Sequence, residues 1–286
     1  MNKINQISPQ SHNYLQVIGD IYKPPDTLYY LGELPVERLP TVAIVGTRKP
    51  SSYGREVTQR LAYDLAVRGV VVVSGLALGV DAIAHKAALE AGGRTIAVQA
   101  NGLDQLYPST NRQLAERILS NNGAIVSQYE PGTPPMQYRF LERNRIVSGL
   151  ADAIIITEAA SRSGTLNTAA HALEQGRELF VVPGNITSPL SAGCNALLRQ
   201  GASPVLSADD VLQVIAPSFD TTQTTLPLGA NTEEAKIIEL LASGVRDGGE
   251  LQKQSGLEAS AFNQTLTMME INGLIRPLGA NQWTLR

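Results

Sequence analysis

One cysteine, Cys194, stands alone in 286 residues, so the chain has neither an intramolecular disulfide nor a Cys-rich zinc site. The three histidines, His12, His85 and His171, are scattered and announce no metal centre. Apolar runs such as Val70–Val73 and Ile154–Ile156 are far too short to cross a bilayer. The opening MNKINQISPQSHNYLQ is polar and lacks the apolar core of a signal peptide, which makes cytoplasm the expected location. A net charge of −3 excludes a generally basic surface, so nucleic acid binding has to rest on a local patch. Neither a G-x-G-x-x-G fingerprint nor a phosphate-loop lysine is present. No Ser-His-Asp order or carboxylate pair points to catalysis, and no cofactor or metal is expected.

What is present is a repeating alternation. Short β-branched runs fall at Val42–Val45, Val70–Val73, Thr95–Val98, Ala124–Val126, Ala153–Thr157 and Leu179–Val182. Segments of helical spacing separate most of them; the first carries Val57, Leu61 and Leu65 on one face. Apolar strands alternating with amphipathic helices predict an α/β fold, with a Rossmann-like, mostly parallel sheet covered on both faces. Residues 1–20 show no periodicity and are expected to be a loose leader. Residues 21–216 form the Rossmann-like domain, opening with an extended arm over Ile21–Gly32. The Thr/Pro-rich stretch 217–230 reads as a linker. Residues 231–286 predict three helices and a terminal hairpin, a small winged-helix domain whose first helix starts at Thr232.

Three strand ends carry small-residue loops, and open α/β sheets bind ligands there. The first loop holds Gly46, Thr47, Arg48, Lys49 and Ser51. Its glycine and following helix start suit an anion, which the two cations can grip; a plain turn with Ser51 or Ser52 as cap fits equally well. The second loop holds Ser74, Gly75 and Gly79, with Asp81 as a candidate N-cap and His85 read as structural rather than as a base. The third holds Ser163, Gly164 and Thr165 at a helix start, where an anion nest and ordinary capping both remain open. Phe140, Arg143, Asn144 and Arg145 crowd one short run, fitting a backbone clamp with a stacking face. One of its two arginines is expected to pair with an acid such as Glu142 or Glu158, and the other to face the ligand. Cys194 reads as buried and inert.

The runs VGTRKPSSYG, SGLALGVDAIAH, TIAVQANGLDQLYP, FLERNRIVSGLADAIIITEAASRSGTLNTAAHALEQGRELFVVPG and SAGCNALLRQGA, in this order over residues 21–215, resemble the DprA/Smf family. The resemblance implies a dimeric Rossmann-like protein that binds single-stranded DNA without cutting it. It implies partners too: RecA, loaded onto DNA during natural transformation, and the single-strand-binding protein that is displaced. Relatives carry serine where Thr47 stands, and a DNA-binding lysine where Gln137 stands, with Arg139 close by as a substitute. Ser127-Gln128-Tyr129-Glu130 also departs from the more usual Ser-Glu-Tyr-Pro. A helical amino-terminal domain common in relatives is expected to be absent, because few residues precede Ile21. The other reading of the same loops is a nucleotide-binding sensor or nucleoside-monophosphate hydrolase; a ligand-sensing transcription factor is a third. From Asn231 onward five basic residues face seven acidic ones, and Glu258–Asn272, the candidate recognition helix, holds no Lys or Arg. A protein-contact or accessory role is expected there rather than groove reading.

Overall fold

The computed structural model describes residues 3–216 and 231–285, in two compact units, Met1–Phe219 and Asp220–Arg286. The linker expected over 217–230 lies outside the described residues.

The first unit is built on a nine-stranded sheet: β1 (Asn5–Ile7), β2 (Leu28–Gly32), β3 (Thr41–Val45), β4 (Val71–Ser74), β5 (Thr95–Gln99), β6 (Ala124–Ser127), β7 (Ala153–Ile156), β8 (Glu178–Val181) and β9 (Ser203–Pro204). Their order is β1-β2-β6-β5-β4-β3-β7-β8-β9. Every pairing from β6 across to β9 is parallel, whereas β1 and β2 close one edge antiparallel. Helices α1 (Ser52–Val67), α2 (Val80–Glu90), α3 (Arg112–Ser120), α4 (Gln137–Leu150), α5 (Thr165–Glu174), α6 (Ala192–Arg199) and α7 (Ala208–Ile215) connect and cover the strands.

Strand β3 is buried along its whole length, and its period of two sends alternate residues to opposite faces. Val42 and Ile44 pack with Leu61 and Leu65 of α1 and with Val80 and Ala84 of α2. Ala43 and Val45 join Ile146, Val147 and Leu150 of α4 and Ala169 and Ala172 of α5. With both faces dry, each fully buried Val, Ile or Leu contributes roughly 1.5–3 kcal/mol. The expected mostly parallel, doubly covered α/β sheet is therefore what forms.

The amino-terminal segment departs from expectation. Residues 3–20 are packed, not loose: β1 pairs with β2, and Tyr14, Leu15 and Ile18 are fully buried against α4. The Tyr14 hydroxyl lies 3.1 Å from Thr41 Oγ1, and burial pushes the phenol up to about 12. Irregular structure hides such anchors from periodicity, because Tyr14 and Leu15 in a turn and Ile18 in the short 3-10 helix after it match neither helix nor strand spacing.

The second unit comprises α8 (Thr232–Ala242), α9 (Gly248–Ser255), α10 (Ala259–Ile271) and the antiparallel pair β10 (Ile275–Gly279) and β11 (Gln282–Leu285). This is the expected winged-helix arrangement. Ile237, Leu241, Leu251, Phe262, Leu266 and Met269 form its core. The cap of α8 is Asn231, whose side chain accepts from the amides of Glu233 and Glu234, rather than a Thr232-led motif. Ala280 and Asn281 turn the hairpin, both with positive φ.

Candidate functional site

From β3 the chain steps through β4, β5 and β6 in one direction, then places β7 and β8 on the other side of β3. The sheet reverses between β3 and β7, and the loops leaving those strands part there. A cleft of about 370 Å³ opens at this point. Gly46, Thr47 and Arg48 line it from the loop after β3, and Phe140, Arg143 and Asn144 from α4. Ser163, Gly164 and Thr165, at the start of α5, complete the predicted set on the third side. A smaller pocket of about 50 Å³ adjoins it over β4 and β5, sharing Arg48, Phe140 and Arg143 and adding Gly75.

Arg48 is exposed, and its guanidinium carbon sits 5.9 Å from the centre of the Phe140 ring. The Tyr107 ring also approaches Phe140, at 5.4 Å with a tilt of 48°. A cation and two aromatic faces thus follow one another along the carboxyl edge of the sheet. Asn144 Nδ2 donates to Asn167 Oδ1 at 3.2 Å, tying α4 to α5 beneath the cleft.

Other predicted residues serve the frame. Ser51 caps α1, accepting from the Gly54 amide at 3.1 Å, while its own amide and hydroxyl donate to the buried Glu158 carboxylate at 2.9 and 2.6 Å. The anion at the start of α1 is therefore the protein's own Glu158, and a Cβ on Gly54 would meet it at 2.2 Å. Lys49 is exposed beside the cleft without lining it. Ser74 is buried and donates to the Ile44 carbonyl at 2.7 Å. Gly79, at φ 80°, lets the second loop touch the first: a Cβ there would stand 2.5 Å from the Thr47 carbonyl oxygen.

Asp81 does not cap its own helix. It lies in the first turn of α2 and accepts from the amides of Gly75 and Ala77 at 3.0 and 3.3 Å, with burial holding its carboxyl above the usual range. Of the two arginines in the α4 run, neither reaches out freely. Arg143 is only 5% exposed; it donates to the Gly75 carbonyl at 2.7 Å and to the Val98 carbonyl, and burial lowers it to about 10. Arg145 donates to the carbonyls of Tyr22 and Lys23 and to Gln128 Oε1, pinning the amino-terminal arm. The acids expected to pair with them are taken elsewhere, Glu142 by the Tyr129 hydroxyl and Glu158 by Ser51. Arg139 donates to the Pro134 carbonyl and lies over the rings of Tyr129 and Tyr138, outside the cleft. His85 is fully buried with Nδ1 2.7 Å from Thr95 Oγ1, and burial lowers it to about 3. The Cys194 thiol is buried and pushed up to about 11 by desolvation.

The model of the DNA recombination-mediator protein A family matches residues 5–216. The chain belongs to this family. The DprA winged helix domain matches residues 221–281. The DNA processing protein DprA of Bacillus subtilis is 40% identical over 211 residues, which is 73% of this chain and 71% of that protein. The X-ray structure of DprA from Streptococcus pneumoniae superimposes with a TM-score of 0.69 at 39% identity, covering 74% of this chain and 75% of that one. A Helicobacter pylori DprA structure, described for its single-stranded DNA binding mode, gives a TM-score of 0.66 at 32% identity and covers 77% of this chain and all of that one.

Two residues of this DprA-family chain, one in the cleft and one in the adjoining pocket, escape sequence reasoning. Arg162 is exposed on the third loop and lines the cleft opposite Arg48. Its neighbours Ser163 to Thr165 signal a helix start and draw attention away from it. Tyr107 comes from a loop that no strand-end argument singles out, although exposed aromatics are scarce in this sequence and each is worth placing. Among the described residues neither Arg48 nor Arg162 makes a salt bridge.

Proposed function

We propose that this protein binds single-stranded DNA across the carboxyl edge of its sheet, without cutting it, as a cytoplasmic recombination mediator. Arg48 and Arg162 grip phosphates from opposite sides of the cleft, helped by Thr47 and by the amides that open α5. Phe140, flanked by Tyr107, offers a stacking face for a base. The observation that carries this reading is the pair of exposed arginines without ion-pair partners facing one cleft beside an aromatic pair. The identity with DprA proteins supports extending it to RecA loading on incoming DNA, displacement of single-strand-binding protein and a homodimer with two clefts. Arg143, Arg145 and Arg139 act through the frame: they hold the loops and the helix that carry the contacting groups.

A nucleotide reading draws on one observation, the position of the cleft at the switch point of an open sheet, where mononucleotides also bind. Two results separate the readings. Fluorescence anisotropy with labelled oligo-dT and its duplex, on wild type and Arg48→Ala, is expected to show single-strand preference that falls with salt and collapses in the variant. Binding to neither DNA, together with turnover of free mononucleotides, sinks the reading in favour of the nucleotide one.

A further inference from the structure

The small pocket between β4 and β5 has a floor that the phosphate grip leaves unused. Gln99, the last residue of β5, is 1% exposed and lines that pocket. Its Oε1 accepts from the Tyr107 amide at 3.0 Å. A backbone N–H can only donate, so this bond fixes which end of the carboxamide is oxygen. The Nε2 end has no acceptor among the described residues, and the pocket is the open space that Gln99 faces. That end is not among the fully buried polar atoms, so the pocket's solvent reaches it, and a ligand group that displaces this solvent without accepting from the N–H costs about 1–3 kcal/mol.

The walls identify the acceptor's class. The rings of Phe140 and Tyr107 and the Arg48 guanidinium suit a flat ring rather than an ion. A nucleobase attached to its strand through the glycosidic nitrogen enters with the opposite edge leading. In a pyrimidine that edge carries the C4 substituent, and in a purine the C6 substituent. An N–H donor at the floor accepts a carbonyl there, as in thymine, uracil and guanine. It meets the exocyclic amine of cytosine or adenine donor to donor, with no hydrogen bond and a desolvation cost.

We infer that Gln99 reads one base of the bound strand and selects a keto base over an amino base. The inference rests on the single-stranded DNA reading above and adds sequence preference to what phosphate contacts alone leave indifferent. The device is a fixed donor: with the carboxamide tied to the Tyr107 amide, the side chain cannot flip to offer its oxygen to an amine.

The test compares oligo-dT, oligo-dU and oligo-dC of equal length by anisotropy. Thymine and uracil share the C4 carbonyl, so the pair controls for the methyl group. Wild type is expected to bind dT and dU alike and dC about five- to tenfold more weakly, the worth of one buried hydrogen bond. Gln99→Glu keeps an acceptor for the Tyr107 amide but turns an oxygen to the pocket, with Arg143 in the same lining to balance its charge. Its expected order is reversed, with dC preferred. Gln99→Leu removes the donor without supplying an acceptor, and is expected to erase the difference while single-strand binding persists.

The wild-type series and Gln99→Leu decide the matter even if the glutamate variant does not fold. Equal wild-type affinity for dT and dC, or a dT preference that survives in Gln99→Leu, overturns the inference while leaving the DNA reading intact. Failure of wild type to bind any of the three oligonucleotides overturns both.

Discussion

The carboxyl edge of the nine-stranded sheet and the outer face of α10 differ in what they can offer a phosphate. At the sheet edge Arg48 and Arg162 stand exposed around a concave cleft, and the one carboxylate in its lining among the described residues, Asp81, is held by backbone amides. Along α10, ASAFNQTLTMMEI, there is no cation, and Met268 and Ile271 are exposed, the latter by 71%. The winged-helix shape alone would nominate α10 as a groove reader. Side-chain charge reverses the nomination. In this molecule the helix that the winged-helix fold would send to duplex DNA has no cation to bind a backbone, whereas the α/β unit, formally neutral with as many basic as acidic residues, sets two exposed arginines around the cleft where the sheet reverses.

The comparison is broken most severely by removing what holds the cleft open. Arg143→Ala leaves Asp81 buried without its nearest positive charge and frees the carbonyls of Gly75 and Val98. A loss of about 2–4 kcal/mol is expected, because two buried carbonyls lose their charged donor. Hydrogen exchange at the β4 and β5 amides is the local readout; unchanged protection there would show that Arg143 is not a keystone of the frame. Next comes Arg48→Ala, which is expected to weaken oligo-dT binding about 10- to 100-fold. The slope of log affinity against log salt should fall by about one, since a single phosphate contact is lost.

Acid sharpens the contrast more gently. His85 is lowered to about 3 in the folded state, so between there and its ordinary range the unfolded chain binds a proton that the folded chain does not. Stability from this group is complete above about pH 6.5 and is lost as pH falls, by up to about 1.4 kcal/mol per pH unit. A His85→Asn variant is expected to flatten that decline in the melting of the α/β unit, while the second unit, with no histidine in its sequence, keeps its pH profile. The smallest expected effect is a gain. Gln264→Lys with Thr267→Lys on exposed positions of α10 should give the protein a weak duplex affinity, a few-fold over wild type and abolished by moderate salt. Tight, salt-sensitive duplex binding by the wild-type protein through α10 would dissolve the contrast altogether.

The sheet was legible because burial on both faces writes itself as unbroken β-branched runs. Val42–Val45, Ala124–Val126 and Ala153–Thr157 each fall within one residue of the observed strand. The packed start of the chain was not, since Tyr14, Leu15 and Ile18 enter the core from short turns with no period to detect. At the site, residue types pointed to the right loops but not to the division of labour within them. Arg143, Arg145 and Ser51 look like ligand groups in sequence. What decides otherwise is distant in the chain: the carbonyls of Gly75 and Val98, those of Tyr22 and Lys23, and the Glu158 carboxylate. Tyr107 and Gln99 were hidden for the same reason, because their roles arise from meeting Phe140 and each other across the edge of the sheet.

Glu158 carries one more consequence. A carboxylate fastened to the neighbouring strand and aimed at the first turn of α1 acts as an anion at a very high effective concentration, one that free phosphate, nucleotides or a passing strand cannot match. The fold thereby silences one of the helix ends that its own geometry creates. On the proposed reading a bound strand settles its charge between Arg48 and Arg162 rather than at the start of α1, so the register in which it would lie is set in part by a helix end that the protein has already filled.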